Sequence, residues 1–324
     1  MLAEKFSRYE IREELGQGGM ATVYRAYDPV FEREVALKVL KQEMLNDLPV
    51  RERFERETKI IAKLEHVAIV PVYDVGRDND QLFFVMRYMA GGSLSERIQS
   101  GSLSLIDVAD IIQRLVAALD YAHYKGVIHR DLKPGNILFD EHRNAYISDF
   151  GIAKLAQAST KLTSSGIIGT PTHMSPEQAR GEEEDGRSDI YSLGVILFEM
   201  LSGQTPFEAT TPLGMALKHA TEPAPHILDI NPNLPAGVEA VIRKVLAKKR
   251  EERYDSGTEF ANAFIATLAK PLRSDANLVR LPPSRARKND DVVIVPRSGA
   301  APKRPFISRF GWTWIWNAVK KLTH

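Results

Sequence analysis

His129-Arg130-Asp131-Leu132-Lys133-Pro134-Gly135-Asn136 places a carboxylate, a lysine two residues on and an amide five residues on in one short stretch. It follows a helix-like segment stopped by Gly126 and precedes the apolar run Ile137-Leu138-Phe139, so it is predicted to be a loop entering a strand. On such a loop Asp131, Lys133 and Asn136 can converge as base, phosphate clamp and metal ligand. Thirteen residues after Asn136 comes Asp149-Phe150-Gly151, at the end of the β-like run Ala145 to Ser148. An aspartate there can hold magnesium, and the glycine lets the chain swing. Each short piece alone is unremarkable; their order and spacing are specific.

Upstream, Val108, Ile111, Ile112, Leu115, Val116 and Leu119 form one apolar helical stripe, and Ser104 with Asp107 has the form of a capping box. Downstream, helices are predicted over about 189–201, 213–220, 236–247 and 257–269. From Tyr9 to Leu40 the pattern is instead three β-rich runs separated by turns: YEIREELGQGG, ATVYRAYD and EVALKVL. Val50 to Leu64 reads as helix and QLFFVMRYM as a buried strand. The chain therefore divides into a lead-in (1–8), a small sheet-plus-helix lobe (9–90), a mainly helical lobe (91–270), a flexible Pro/Arg-rich linker (271–305) and an aromatic basic tail (306–324).

Lys38 lies inside the apolar run Val35 to Leu40, on the same face as Ala36 by period-two geometry, and a lysine there needs a partner. In the following segment Phe54, Ile61 and Leu64 define an inward helical face on which Glu57 falls, whereas Glu52 and Glu55 point elsewhere. Glu57 is the expected partner. Gly16-Gln17-Gly18-Gly19-Met20-Ala21 sits between two predicted strands, where small residues let backbone N–H groups close over phosphates. Equally, such a hairpin can be only a tight turn. A dinucleotide fingerprint is excluded because Thr22-Val23-Tyr24 continues as strand rather than opening a helix.

Taken together these residues resemble the signature set of the protein kinases: glycine-rich loop, strand lysine, catalytic loop and magnesium aspartate. Gly169-Thr170-Pro171-Thr172-His173-Met174-Ser175-Pro176-Glu177 resembles the segment closing that family's activation loop, with Ser175 in place of alanine and Ala21 in place of the third glycine. With GQGGMATVYRA and SDIYSLGVILFEMLSGQTPF, the likeness is to the bacterial, eukaryotic-like Ser/Thr kinases and covers about residues 9–269. It implies an α+β bilobal fold with ATP in the cleft. Lys38, held by Glu57, would contact the α- and β-phosphates, and Asn136 and Asp149 would bind magnesium, for which manganese is an alternative. Asp131 would orient and deprotonate the acceptor hydroxyl, Lys133 would neutralise the phosphoryl group in transfer, and Thr170 would support both. Gly16, Gly18, Val23, Ala36 and Leu138 would enclose the nucleotide, backbone groups from Arg87 to Met89 would bond its base, and Met86 would guard the pocket behind. Asp189 would brace the catalytic loop and Glu177 would pair with Arg253. The expected partners are protein substrates, including a second copy in passing, because Thr163, Ser164 and Ser165 are candidate autophosphorylation sites beside Arg130.

Two rivals are weaker. A non-catalytic scaffold of this fold usually lacks counterparts of Lys38, Asp131 or Asp149, and a small-molecule kinase has no use for the platform ending in Ser175-Pro176-Glu177. Composition adds limits. The 324 residues are 44% hydrophobic with net charge +1, so nothing global calls for nucleic acid. The absence of cysteine excludes disulfides and thiolate zinc sites and fits a cytoplasmic location, and the start MLAEKFSRYE has no apolar core of a signal peptide. Residues 271–324 hold eleven Lys and Arg against three acids. There Trp312, Trp314 and Trp316, flanked by Lys303, Arg304, Arg309, Lys320 and Lys321, suit a peripheral membrane or protein contact, or a strand or helix docked on the chain's own surface.

Overall fold

The computed structural model describes residues 5–18, 21–41, 62–79, 81–101, 103–150 and 171–268. Its first part is a six-stranded antiparallel sheet of β1 (Lys5–Phe6), β2 (Tyr9–Gln17), β3 (Ala21–Asp28), β4 (Arg33–Leu40), β5 (Val72–Asp78) and β6 (Gln81–Arg87), in the order β1-β2-β3-β4-β6-β5. Alternation along β4 and β6 gives the sheet two apolar faces. Ala36, Leu40, Leu82, Phe84 and Met86 join the main core, while Val35, Leu37, Val39, Phe83 and Val85 pack with Tyr9 and Ala26 on the other side. The expected three-strand opening is present, and Lys38 emerges on the Ala36 face. Of the predicted helix over 50–64 only residues 62–64 are described, and they form a turn running into coil.

The larger lobe contains α1 (Leu94–Ser100), α2 (Leu105–Tyr124), a two-stranded hairpin of β7 (Ile137–Phe139) and β8 (Ala145–Ile147), then α3 (Pro176–Arg180), α4 (Gly186–Ser202), α5 (Pro212–Thr221), α6 (Ile227–Ile230), α7 (Gly237–Val245) and α8 (Gly257–Leu268). All six residues of the predicted α2 stripe are buried, and the Ser104–Asp107 capping box is formed. Helix α4 is buried on almost every side, and at Gly194 an added Cβ would stand 2.6 Å from Val245, so the closeness of α4 to α7 depends on that glycine. The lobes are joined directly as well as by the chain: Ile147 N–H donates to Ala68 (2.9 Å) and Val70 N–H to Ile147 (2.9 Å). One apolar cluster consequently runs from Val23 and Ala36 of the sheet to Leu138, Ile147 and Phe150 beneath it.

Candidate active site

Chain direction at the site is set by the end of α2. Gly126 adopts φ 75° and its N–H closes on His123, which turns the chain toward His129. His129 is fully buried. Its Nε2 donates to the Ser148 carbonyl (2.9 Å), so Nδ1 is the acceptor and receives the Asp131 N–H (3.2 Å). The ring also packs on Phe150 at 4.7 Å. One histidine thus ties the segment carrying Asp131 to the segment carrying Asp149.

Asp189, in the first turn of α4, accepts the backbone N–H groups of His129 (2.8 Å) and Arg130 (2.9 Å) and the His123 Nε2–H (2.7 Å). Burial works to raise its carboxyl, but the His123 bond, followed by the nearby histidine rings and the backbone donor, holds it below the ordinary range. Asp189 is therefore a buried anion that His123 orients and that holds the backbone of the loop at His129 and Arg130, the bracing contact the resemblance implied. The helix itself starts earlier than predicted, at Gly186, because Asp185 caps it by accepting the Arg187 N–H.

Within the loop Asn136 Nδ2 donates to the Asp131 carbonyl (2.7 Å) and carboxylate (3.2 Å), and Lys133 Nζ stands 3.5 Å from that carboxylate. The Asn136 carbonyl receives Ser148 N–H (2.9 Å) and Oγ–H (3.0 Å), which seats Asn136 beside Asp149. Lys38 Nζ donates to Asp149 Oδ1 at 2.7 Å across the cleft. Burial opposes ionisation of Asp149, and the Lys38 ammonium outweighs it, holding the carboxyl below its usual range. No group of three or more metal-binding side chains occurs among the described residues. Asp149 and the Asn136 amide oxygen nonetheless suit a hard divalent cation of the kind that takes one or two protein oxygens and fills its remaining positions with phosphate and water.

Above these groups Val23 lies opposite Lys38 in the sheet register and Ala36 opposite Met86. Val23, Ala36, Met86, Met89 and Leu138 are all buried in the shared cluster, an apolar slot of the kind a planar base requires. The Arg87 N–H is already donated to Pro71 (3.0 Å), so the expected hydrogen bonds from this stretch to a ligand cannot use that donor. Gly16 pairs with Val23 and the Gly18 N–H closes on Ala21 (2.9 Å), so the predicted hairpin is formed around residues 19–20, which lie outside the described residues. Glu57, Thr170 and the candidate modification sites Thr163, Ser164 and Ser165 also lie outside them, as do 269–324.

The platform beside the loop is described from Pro171 onward. Ser175, the departure from alanine, caps α3 in a capping box with Gln178. Glu177 and Arg253 form a buried, doubly bonded pair with both contacts at 2.8 Å. Two residues near the site were not singled out by sequence: His123, which orients Asp189, and Gln178, whose Nε2 donates to the Arg130 carbonyl (2.8 Å). The Ser-x-x-Gln pattern could have signalled the second.

A family model described as "Protein kinase domain" matches residues 9–265. The chain belongs to the protein kinase family. Its kinase domain is 39% identical over 253 residues to the serine/threonine-protein kinase PrkC of Bacillus subtilis, covering 78% of this chain and 39% of that protein. It is 40% identical over 270 residues to PknJ of Mycobacterium tuberculosis, another serine/threonine-protein kinase, covering 81% and 46%. Among solved structures the PknI kinase domain of M. tuberculosis aligns with TM-score 0.68 at 30% identity, covering 83% of this chain and all of that one. The chain thus spans about two fifths of the length of curated relatives it matches.

Proposed function

We propose that this kinase domain transfers the γ-phosphoryl group of ATP to serine and threonine hydroxyls of proteins. The observation that carries the reading is the linkage of Asp131, Lys133 and Asn136 to the Lys38–Asp149 pair through His129 and Ser148. Asp131 receives the acceptor proton, Lys133 lies beside it to meet the negative charge of the group in transfer, and Lys38 holds the α- and β-phosphates with Glu57 as its second partner. Magnesium, held by Asp149 and Asn136, neutralises phosphate charge when bound. The names of the relatives favour serine and threonine over tyrosine, as does the pairing of Lys133 with Thr170 in sequence. Incubation with magnesium, labelled ATP and a generic protein substrate should place label on serine and threonine. Label on tyrosine alone, or none, overturns the reading.

Control follows from Arg130, an exposed residue that immediately precedes Asp131 in the chain. A phosphate adds about −1.5 to −2 charges and three strong acceptors. Autophosphorylation within Thr163 to Ser165, with Thr163 favoured and a second copy as the transient donor, would give Arg130 an anion and raise activity. Mass mapping after incubation with ATP should find phosphate there and a Thr163→Ala/Ser164→Ala/Ser165→Ala variant should be slower; unmodified peptides in an active enzyme reject it.

No helix among the described residues is long and apolar enough to cross a membrane. We assign the domain to the cytoplasm, where ATP is available, with residues 303–324 making a peripheral contact to anionic lipid through tryptophan and lysine. Sedimentation with phosphatidylserine-containing vesicles should fall when 303–324 are removed. Equal sedimentation of both chains rejects the contact.

A further inference from the structure

Arg130 adopts φ 67°, a left-handed conformation that costs a non-glycine residue free energy and persists only when its surroundings impose it. Two of its backbone groups are held by side chains of different helices: the N–H by Asp189 Oδ1 at 2.9 Å and the carbonyl by Gln178 Nε2 at 2.8 Å. That carbonyl belongs to the planar peptide joining Arg130 to Asp131, and the other end of the same unit, the Asp131 N–H, is held by His129 Nδ1 at 3.2 Å. Fixing both ends of the unit fixes its plane, and with it the direction in which Asp131 leaves the backbone.

Gln178 has no freedom to play this part loosely. Its Oε1 accepts the Ser175 N–H (2.8 Å) as half of the capping box, which assigns the amide orientation, and its Nε2 is shared between the Arg130 carbonyl and Glu184 Oε2 (2.8 Å). The helix that carries it is seated by the buried Glu177–Arg253 pair. A glutamate would cap α3 equally well, since either residue serves the capping box, but it offers an oxygen where two acceptors wait. The bridge to the loop therefore specifies glutamine where the cap does not.

We propose that Gln178 is a positioning residue for phosphoryl transfer, coupling the peptide platform to Asp131 through the Arg130 carbonyl. This rests on the reading of Asp131 as the base. Gln178→Glu keeps size and cap and should lower kcat for a protein substrate by about tenfold, the worth of roughly one positioning hydrogen bond, with the KM for ATP unchanged. In Gln178→Glu/Glu184→Gln the platform regains a donor–acceptor pair and only the Arg130 carbonyl stays unserved, so kcat should remain low. Full recovery in the double variant, or normal kcat in the single one, overturns the proposal. Deuterium exchange of the peptide spanning 129–136 should quicken in both variants, and unchanged exchange overturns it independently of turnover. A wild-type chain that transfers no phosphate would sink the kinase reading instead and leave the exchange result to decide this one.

Discussion

Asp131→Asn should lower phosphoryl transfer to protein by about 10²- to 10⁴-fold, the usual contribution of a positioned base, without unfolding the chain. The replacement is close to isosteric and its amide oxygen can still accept the Asn136 Nδ2–H that now reaches the carboxylate at 3.2 Å. The bond from Asn136 to the Asp131 backbone carbonyl (2.7 Å) is untouched, as is the Asp131 N–H bond to His129. What disappears is the negative charge that orients and receives the hydroxyl proton, and the electrostatic partner of Lys133 at 3.5 Å. Nucleotide affinity should survive, because Lys38, Asp149 and the apolar slot of Val23, Ala36, Met86 and Leu138 belong to other elements. Initial rates with labelled ATP, beside a fluorescent-nucleotide titration and a thermal melt, check all three parts. Turnover near wild type would remove Asp131 from the role of base. Lost nucleotide binding would show that the loop had collapsed rather than lost a proton acceptor.

Much of this site was legible because its chemistry is local in sequence. Asp131, Lys133 and Asn136 lie within six residues of one another, and period two along β4 placed Lys38 on the core face with Ala36. The braces are another matter. His123 meets Asp189 across 66 residues and Gln178 meets Arg130 across 48, so neither contact leaves a periodic trace. Short elements escaped for a different reason. Helix α1 announces itself only by the Ser93–Glu96 capping box, and β5, an edge strand reading VYDVGRD, alternates exposed and half-buried residues and carries aspartate and glycine that disfavour strands. The reading of Lys38 was also incomplete. Glu57 was its expected partner, and the structure supplies Asp149, 111 residues away, as a carboxylate on the opposite side of the cleft.

Arg253→Met should destabilise the domain by about 3–5 kcal/mol, the cost of leaving one member of a buried ion pair alone. Glu177 and Arg253 are 2% and 3% exposed, and Ser188 Oγ–H completes the carboxylate's partners at 2.6 Å. Burial pushes the Glu177 carboxyl up, but the Arg253 hydrogen bonds and charge win and hold it at about 2, against an ordinary 4.5. A folded value below the unfolded one means that the unfolded chain takes the proton first, so the contribution, roughly 3 kcal/mol, is complete above pH 4.5 and lost as pH falls toward 2. His219 acts in the same direction over a higher range. It is fully buried and kept neutral, its Nε2–H donated to Thr172 at 3.0 Å and its Nδ1 accepting from Tyr191, and burial pushes its value from 6.5 down to about 3. Unfolding lets it charge, so stability should fall below about pH 6.5 by up to about 1.4 kcal/mol per pH unit from this group alone. Urea melts at pH 7, 5.5, 4 and 3, for wild type and Glu177→Gln, separate the two. Wild type should weaken at each step, and the loss below pH 4.5 should be smaller in Glu177→Gln. Arg253→Met should start several kcal/mol lower at pH 7. An Arg253→Met chain as stable as wild type at pH 7 would mean that the pair does not seat α3, and the platform would then need another anchor.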